Sequence, residues 1–183
     1  MKRAPYLGAL ALVLTFAAVA PETAEARPAP RAGKSFEANK VFGLGIELGT
    51  PTGLNGKYFL SSDRALDFGI GTIYHWRDRD GVNAYLDYLF HPVSLVSNPS
   101  FELPLYFGFG GRIWNFDDYR SRNGYDGVYG IGLRVPVGIA FDFNNVPLDI
   151  FIQLTFVLDF YPGNYNRDVY ADLNGSAGVR YWF

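Results

Sequence analysis

Cysteine is absent from the 183 residues, and methionine occurs once, at the start. No disulfide can staple this chain, and no thiolate can serve as a nucleophile or a metal ligand. Histidine is scarce too, with only His75 and His91. Charge of one sign is also missing: 16 Lys and Arg stand against 18 Asp and Glu, for a net charge of −2. That balance leaves no basic footprint and argues against a nucleic-acid partner. Past Ala20 there is no long apolar run, although apolar residues make up 49% of the chain and aromatic residues 17%. Mean hydropathy is close to zero, so apolar and polar residues must be interleaved.

The one continuous apolar run is Leu7–Ala20, preceded by Lys2 and Arg3. A basic start, a short apolar stretch and small residues after it predict a secretory signal peptide over residues 1–26. The run is short for a spanning helix, which needs about 20 apolar residues. Cleavage after Ala20 would leave Pro21 next to the cut, whereas Ala24-Glu25-Ala26 offers a better site. Residues 27–40 are Pro/Ala-rich and charged, and are expected to form a flexible lead-in. Roughly 140 residues remain, enough for one domain over 41–183.

From Val41 onward the apolar residues alternate, which is strand spacing and not helix spacing. In "LDIFIQLTFVLDF", Leu148, Ile150, Ile152, Leu154, Phe156, Leu158 and Phe160 share one face, opposite Asp149, Phe151, Gln153, Thr155, Val157 and Asp159. Eight such segments are expected, near 41–49, 54–60, 64–76, 82–91, 101–114, 128–142, 147–160 and 169–183. Turn signals separate them, among them "TPTG", "RDRDG", "HPVSLVSNPS" and "NNVP". Connections this short join antiparallel neighbours. The expected fold is all-β: an eight-stranded antiparallel up-and-down barrel.

Alternation fits a soluble, lipocalin-like barrel with its apolar face inward, or a transmembrane barrel with that face outward. The apolar face carries no charge in any segment. The opposite face is mostly Gly, Asn, Asp and Tyr, with Lys57 its only lysine; a wet exterior would be richer in Lys and Glu. Aromatic residues gather at the segment ends, with Tyr74, Trp76, Trp114, Phe116, Tyr129, Phe160 and Tyr161 at one rim. Tyr88, Phe90, Phe101, Phe141 and Tyr181 lie at the other. Two aromatic girdles are what membrane interfaces select, so the membrane polarity is preferred.

The chain closes on "GSAGVRYWF". A sheet in lipid cannot leave an edge unpaired, so the last strand must pair with the first. Leu173, Gly175, Ala177, Val179, Tyr181 and the terminal Phe183 follow one another at alternate positions. In this pattern, over residues 41–183, the chain resembles the small OmpA/OmpX-type bacterial outer-membrane barrels. The resemblance implies a Gram-negative outer-membrane location with both termini periplasmic. It also implies that Val179, Tyr181 and Phe183 form an assembly signal read by the barrel-assembly machinery, after handling by periplasmic chaperones. Pro104 and Pro136 fall inside strands, where bulges are expected to accommodate them.

The opposite face supplies the candidate site: Glu47, Lys57, Asp67, Asp87, Glu102, Arg112, Arg134, Asp142, Asp149, Asp159, Asp172 and Arg180. An eight-stranded barrel is just filled by its inward side chains, and the many glycines leave room for long ones to cross. Counting from the turns places Asp149 opposite Arg180, sets Glu47 near Lys57, and offers Arg134 either Glu47 or Asp87. A packed polar plug is expected, with an ion or proton path as the alternative. For catalysis there is little: His75 has only Ser121 nearby, His91 precedes Pro92 at an expected turn, and no nucleophile–base–orienter set forms. No catalytic, cofactor or metal residues are assigned. The expected role is a non-enzymatic monomer in contact with outer-membrane lipid. The loop holding Tyr119, Arg120, Arg122 and Tyr125 is a possible contact for lipopolysaccharide headgroups. The expected function is envelope integrity or surface interaction; a lipid-modifying enzyme and a narrow pore are the alternatives.

Overall fold

Period-two alternation demands partners for every strand, and the chain finds them by closing on itself. A computed structural model describes residues 33–73, 81–117, 127–160 and 169–183. It contains eight strands: β1 (Phe42–Gly49), β2 (Thr52–Ser61), β3 (Arg64–Ile73), β4 (Gly81–Ser97), β5 (Phe101–Asp117), β6 (Gly127–Phe143), β7 (Leu148–Phe160) and β8 (Val169–Trp182). Each pairs antiparallel with its neighbour, and β8 returns to β1 from Gly43↔Trp182 to Gly49↔Ser176. No sheet edge remains to face lipid, where unpaired backbone groups cost several kcal/mol each. The chain enters and leaves at one end of the barrel, called here the terminal end. The signal peptide and the loop residues Tyr74, His75, Trp76, Tyr119, Arg120, Ser121, Arg122, Tyr125 and Tyr161 lie outside the described residues.

Burial follows the alternation. Along β7 every second residue from Ile150 to Phe156 is exposed, while Phe151, Gln153, Thr155 and Val157 are buried. The exterior is apolar over all eight strands, as at Leu54, Ile70, Leu86, Ile113, Leu133, Leu154 and Leu173. Leu154 at 55% exposure and Arg180 at 1% invert the polarity of a soluble protein. An apolar exterior around a charged, side-chain-filled interior is the arrangement that lipid requires. The fold is therefore an eight-stranded transmembrane β-barrel.

Several local expectations are corrected. β4 does not stop at residue 91 but runs to Ser97, because register shifts between Phe90 and Val93 and again between Ser94 and Ser97 let the strand pass Pro92. The turn shrinks to a few residues around Asn98, whose side-chain oxygen accepts from the amides of Ser100 (2.8 Å) and Phe101 (3.0 Å). Pro104 lies opposite Ser94, between those two shifts, so the irregularity belongs to the partner strand β4. Pro136 induces no bulge: β5–β6 simply omits pairing of Gly108 and Phe109 with Val135 and Pro136, without changing register. Local loss of ladder pairing accommodates this proline. The β1–β2 turn is tighter than "TPTG" suggested, with Thr52 Oγ1 donating to the Gly49 carbonyl at 2.9 Å and Gly49 at φ +124°. Glycine adopts that backbone conformation without steric cost.

Candidate functional site: the charged interior

Trp114 belongs to the interior and not to a girdle. It is two residues from Arg112 on one strand, so the pleat turns both the same way. Exposed Tyr129, Phe160, Phe141 and Tyr181 do face outward. Tyr88, Phe90, Phe107 and Phe109 form a connected aromatic patch on β4–β5, with centroid distances from 5.1 to 6.2 Å.

Two arginines organise the middle of the barrel. Arg180 donates through Nε and Nη2 to Asp149 at 3.0 Å each, and through Nη1 to Asp67 at 2.9 Å and to the Asn55 amide oxygen at 3.1 Å. Its guanidinium lies 4.2 Å from the centre of the Phe151 ring. Asp149 and Arg180 are direct cross-strand partners, in the register counted from the turns. Arg134 donates through Nε to both Asp87 oxygens at 3.0 Å and lies 4.0 Å from the Tyr85 ring centre. Of its two expected acids, Asp87 is the one it meets. Tyr85 then joins the two groups, donating to Glu47 at 2.7 Å and accepting from Asn55 at 2.7 Å. Such buried charges stay in place only while paired, since removing one side typically costs about 3–5 kcal/mol.

The two ends differ. Towards the end opposite the termini, Arg112 forms a forked contact with Asp159, at 2.9 and 2.6 Å. Ile73 packs with Trp114 beside them, against Tyr170. In the amide orientation that satisfies both neighbours, Asn174 links Asp172 (3.2 Å) to Arg112 (2.9 Å). Towards the terminal end, Ala65, Leu89, Tyr106, Ala140 and Phe151 form an apolar cluster that Phe59 joins. Glu102 lies near that rim, half-buried, accepting from Ser97 at 2.7 Å and facing Lys34 at 3.7 Å.

Glu47 and Lys57 do not meet. The tight β1–β2 turn pairs Glu47 with Gly53 and Lys57 with Gly43, which separates them along the barrel. Lys57 instead reaches His91 Nε2 at 3.3 Å and lies 4.4 Å from the Tyr106 ring centre. His91, expected at a turn, is a buried interior residue of β4. Inward glycines make these long side chains fit. The Tyr85 ring lies over Gly69, Arg112 and Asp159 over Gly132, and Tyr106 over Gly138, where a β-carbon would collide with them.

Sequence reasoning did not single out Tyr85, Asn55 or Phe36. Tyr85 and Asn55 share parity with Asp87 and Lys57, so alternation carried the signal for both. Among the described residues, no group of three or more His, Asp or Glu side chains could hold a metal ion. The arrangement can hold opposite charges rigidly and block the lumen. Among the described residues it brings no nucleophile to a base.

Fold and interior together define a small, closed transmembrane β-barrel. The chain belongs to the family described as "Protein of unknown function (DUF3996)", whose model matches residues 33–167. A solved structure of similar fold is the N-terminal β-barrel domain of Pseudomonas aeruginosa OprF, at 17% identity and a TM-score of 0.56, covering 80% of this chain and 99% of that one. Ail, the attachment invasion locus protein of Yersinia pestis, matches at 17% identity and a TM-score of 0.38, covering 81% and 100%. No curated protein sequence gives a match. The expected likeness to small OmpA/OmpX-type barrels is met at the level of fold.

Proposed function

We propose that this protein is a monomeric, non-enzymatic barrel of the bacterial outer membrane, serving envelope integrity and surface interaction through the loops opposite its termini. The observation that carries the reading is the lumen itself. Arg180 with Asp149 and Asp67, and Arg134 with Asp87, occupy its middle as buried ion pairs. An interior spent on its own cross-links leaves the outer loops as the surface available to partners. The termini then lie in the periplasm, and outer-membrane lipid, with lipopolysaccharide headgroups, is the immediate partner. Assembly in this reading depends on periplasmic chaperones and on the barrel-assembly machinery acting at Val179, Tyr181 and Phe183. Val179 and Tyr181 point outward from β8, and Phe183, just past the end of that strand, is exposed as well.

The chain has no native cysteine, which makes the orientation simple to test. Single cysteines placed at Arg122 and Asn166 should react with an impermeant maleimide on intact cells, and one at Asn144 should not. Labelling at Asn144 alone would invert the orientation. A deletion strain should become sensitive to detergent, and restoring the barrel with both long loops shortened should separate the structural role from the surface role.

A further inference from the structure

A layer of aromatic rings crosses the terminal end of the lumen. Phe59 of β2, His91 of β4, Tyr106 of β5 and Trp182 of β8 supply four of them, with neighbouring ring centres 5.0 to 5.7 Å apart. The fifth is Phe36, which precedes β1 and lies outside the barrel ladder. Its ring centre is 5.4 Å from His91 and 5.8 Å from Phe59, and only 4% of the residue is exposed. The segment expected to be a lead-in, described from Gly33 to Lys40, thus forms a strap across the mouth. The amide of Gly33 donates to the Ser94 carbonyl at 3.1 Å, the amide of Ser94 to the Lys34 carbonyl at 2.8 Å, and the amide of Ala38 to the Ser62 carbonyl at 2.8 Å. Lys40 forms an ion pair with Asp142 and donates to the Phe143 carbonyl at 2.7 Å. Ser62 follows β2 and Asp142 belongs to β6, four strands away in a closed ring of eight, so these anchors stand on opposite sides of the mouth.

We propose that residues 33–40 are a plug: Phe36 completes the aromatic layer and seals the terminal mouth against water, as a barrier separate from the mid-barrel ion pairs. A hydrophobic constriction excludes water, and the ions that water carries, by dewetting. Below Phe36 the lining stays apolar before it becomes charged. Ala65, Leu89, Tyr106, Ala140 and Phe151 form the cluster that Phe59 joins, and none of the five is more than 3% exposed. That cluster ends on Arg180, whose guanidinium lies 4.2 Å from the centre of the Phe151 ring. Phe36 is therefore the outermost member of a dry stack that stands between the mouth and the buried ion pairs. The plug is also separable from the wall. The strap joins the barrel through the Lys34–Ser94 bridge, a few backbone bonds and the Lys40 contacts, and all eight strands pair without it. Lifting Phe36 from its seat would uncover Phe59 and His91 and leave the ladder closed. The plug presupposes the closed lumen proposed for this protein and adds a second closure to it.

Thiol labelling of the protein in lipid nanodiscs tests this, since the chain has no native cysteine. Ala65→Cys changes little volume and reports on the lumen beneath Phe36, where Ala65 is fully buried. Ser176→Cys, opposite Gly49 towards the other end of the barrel, is the reference. A charged, water-soluble thiosulfonate should react slowly with Ala65→Cys while the strap is intact. Adding Phe36→Ala should speed that reaction by about tenfold or more, as expected when a site reached only by local opening becomes open. The rate at Ser176→Cys should not change. Ala38→Pro, which deletes the amide that anchors the strap at Ser62, should act in the same way and carries the test if Phe36→Ala fails to assemble. Fast labelling of Ala65→Cys under the intact strap would overturn the proposal, and so would an unchanged slow rate in the assembled variants. Equal acceleration at Ser176→Cys would also overturn it, by assigning the change to a loosened barrel. Steady wild-type conductance would defeat the closed lumen as a whole, whereas these labelling results defeat the plug alone.

Discussion

An Arg180→Ala barrel should unfold about 3–5 kcal/mol more easily than the wild type, because it leaves buried carboxylates without their counter-charge. Asp149 and Asp67 both take their ion pair from this one guanidinium. Neither is more than 3% exposed at its side chain. The guanidinium also lies over the Phe151 ring, so truncation loses packing as well as charge. Urea titration of the folded, faster-migrating form on unheated gels measures the effect. Adding Asp149→Ala to Arg180→Ala should cost less than the sum of the two changes, since the second removes a charge the first had orphaned. By contrast, Lys34→Ala should move the same titration by no more than about 1 kcal/mol, because its pair with Glu102 is half in water.

Phe183→Asp should abolish most outer-membrane assembly while barely weakening barrels already formed. Phe183 is 75% exposed on the outer surface, with ring centres 6.0 Å from Phe42 and 5.1 Å from Tyr181. Its amide donates to the Phe42 carbonyl at 2.9 Å, a backbone bond that the substitution keeps. A charge near the membrane interface costs only about 0–1 kcal/mol in a finished barrel. A large fall in assembled protein with little change in the urea midpoint of refolded protein therefore marks a defect of recognition. Full assembly of the variant would remove Phe183 from the proposed signal.

The eight strands were legible from alternation, and which face met lipid was legible because the apolar face carries no charge while the opposite face holds the charged residues. Asp149 and Arg180 could even be matched, since "NNVP" fixes where β7 begins and the terminus fixes where β8 ends. Register failed where a turn was misjudged: a shorter β1–β2 link moved Lys57 away from Glu47 and towards His91. Pro92 was taken as a strand terminator, whereas the bulges of β4 carry the chain past it and bring His91 inside. The strap was hidden for a different reason. Its Pro/Ala-rich lead hides one apolar anchor, Phe36, and a single residue has no period from which to read a face. Trp114 shows the opposite error, an aromatic judged by its closeness to a strand end when its parity with Arg112 had already settled its side.

Conductance of the purified wild-type protein in a planar lipid bilayer tests the central claim most directly. A barrel whose middle is crossed by Arg180 with Asp149 and Asp67, and by Arg134 with Asp87, should pass little or no steady current. Arg134→Ala should introduce leak, because it empties the space over Tyr85 and releases Asp87. A steady wild-type channel, with a conductance that changes when Arg134 or Lys57 is neutralised, would contradict the account and make the same residues the lining of a pore.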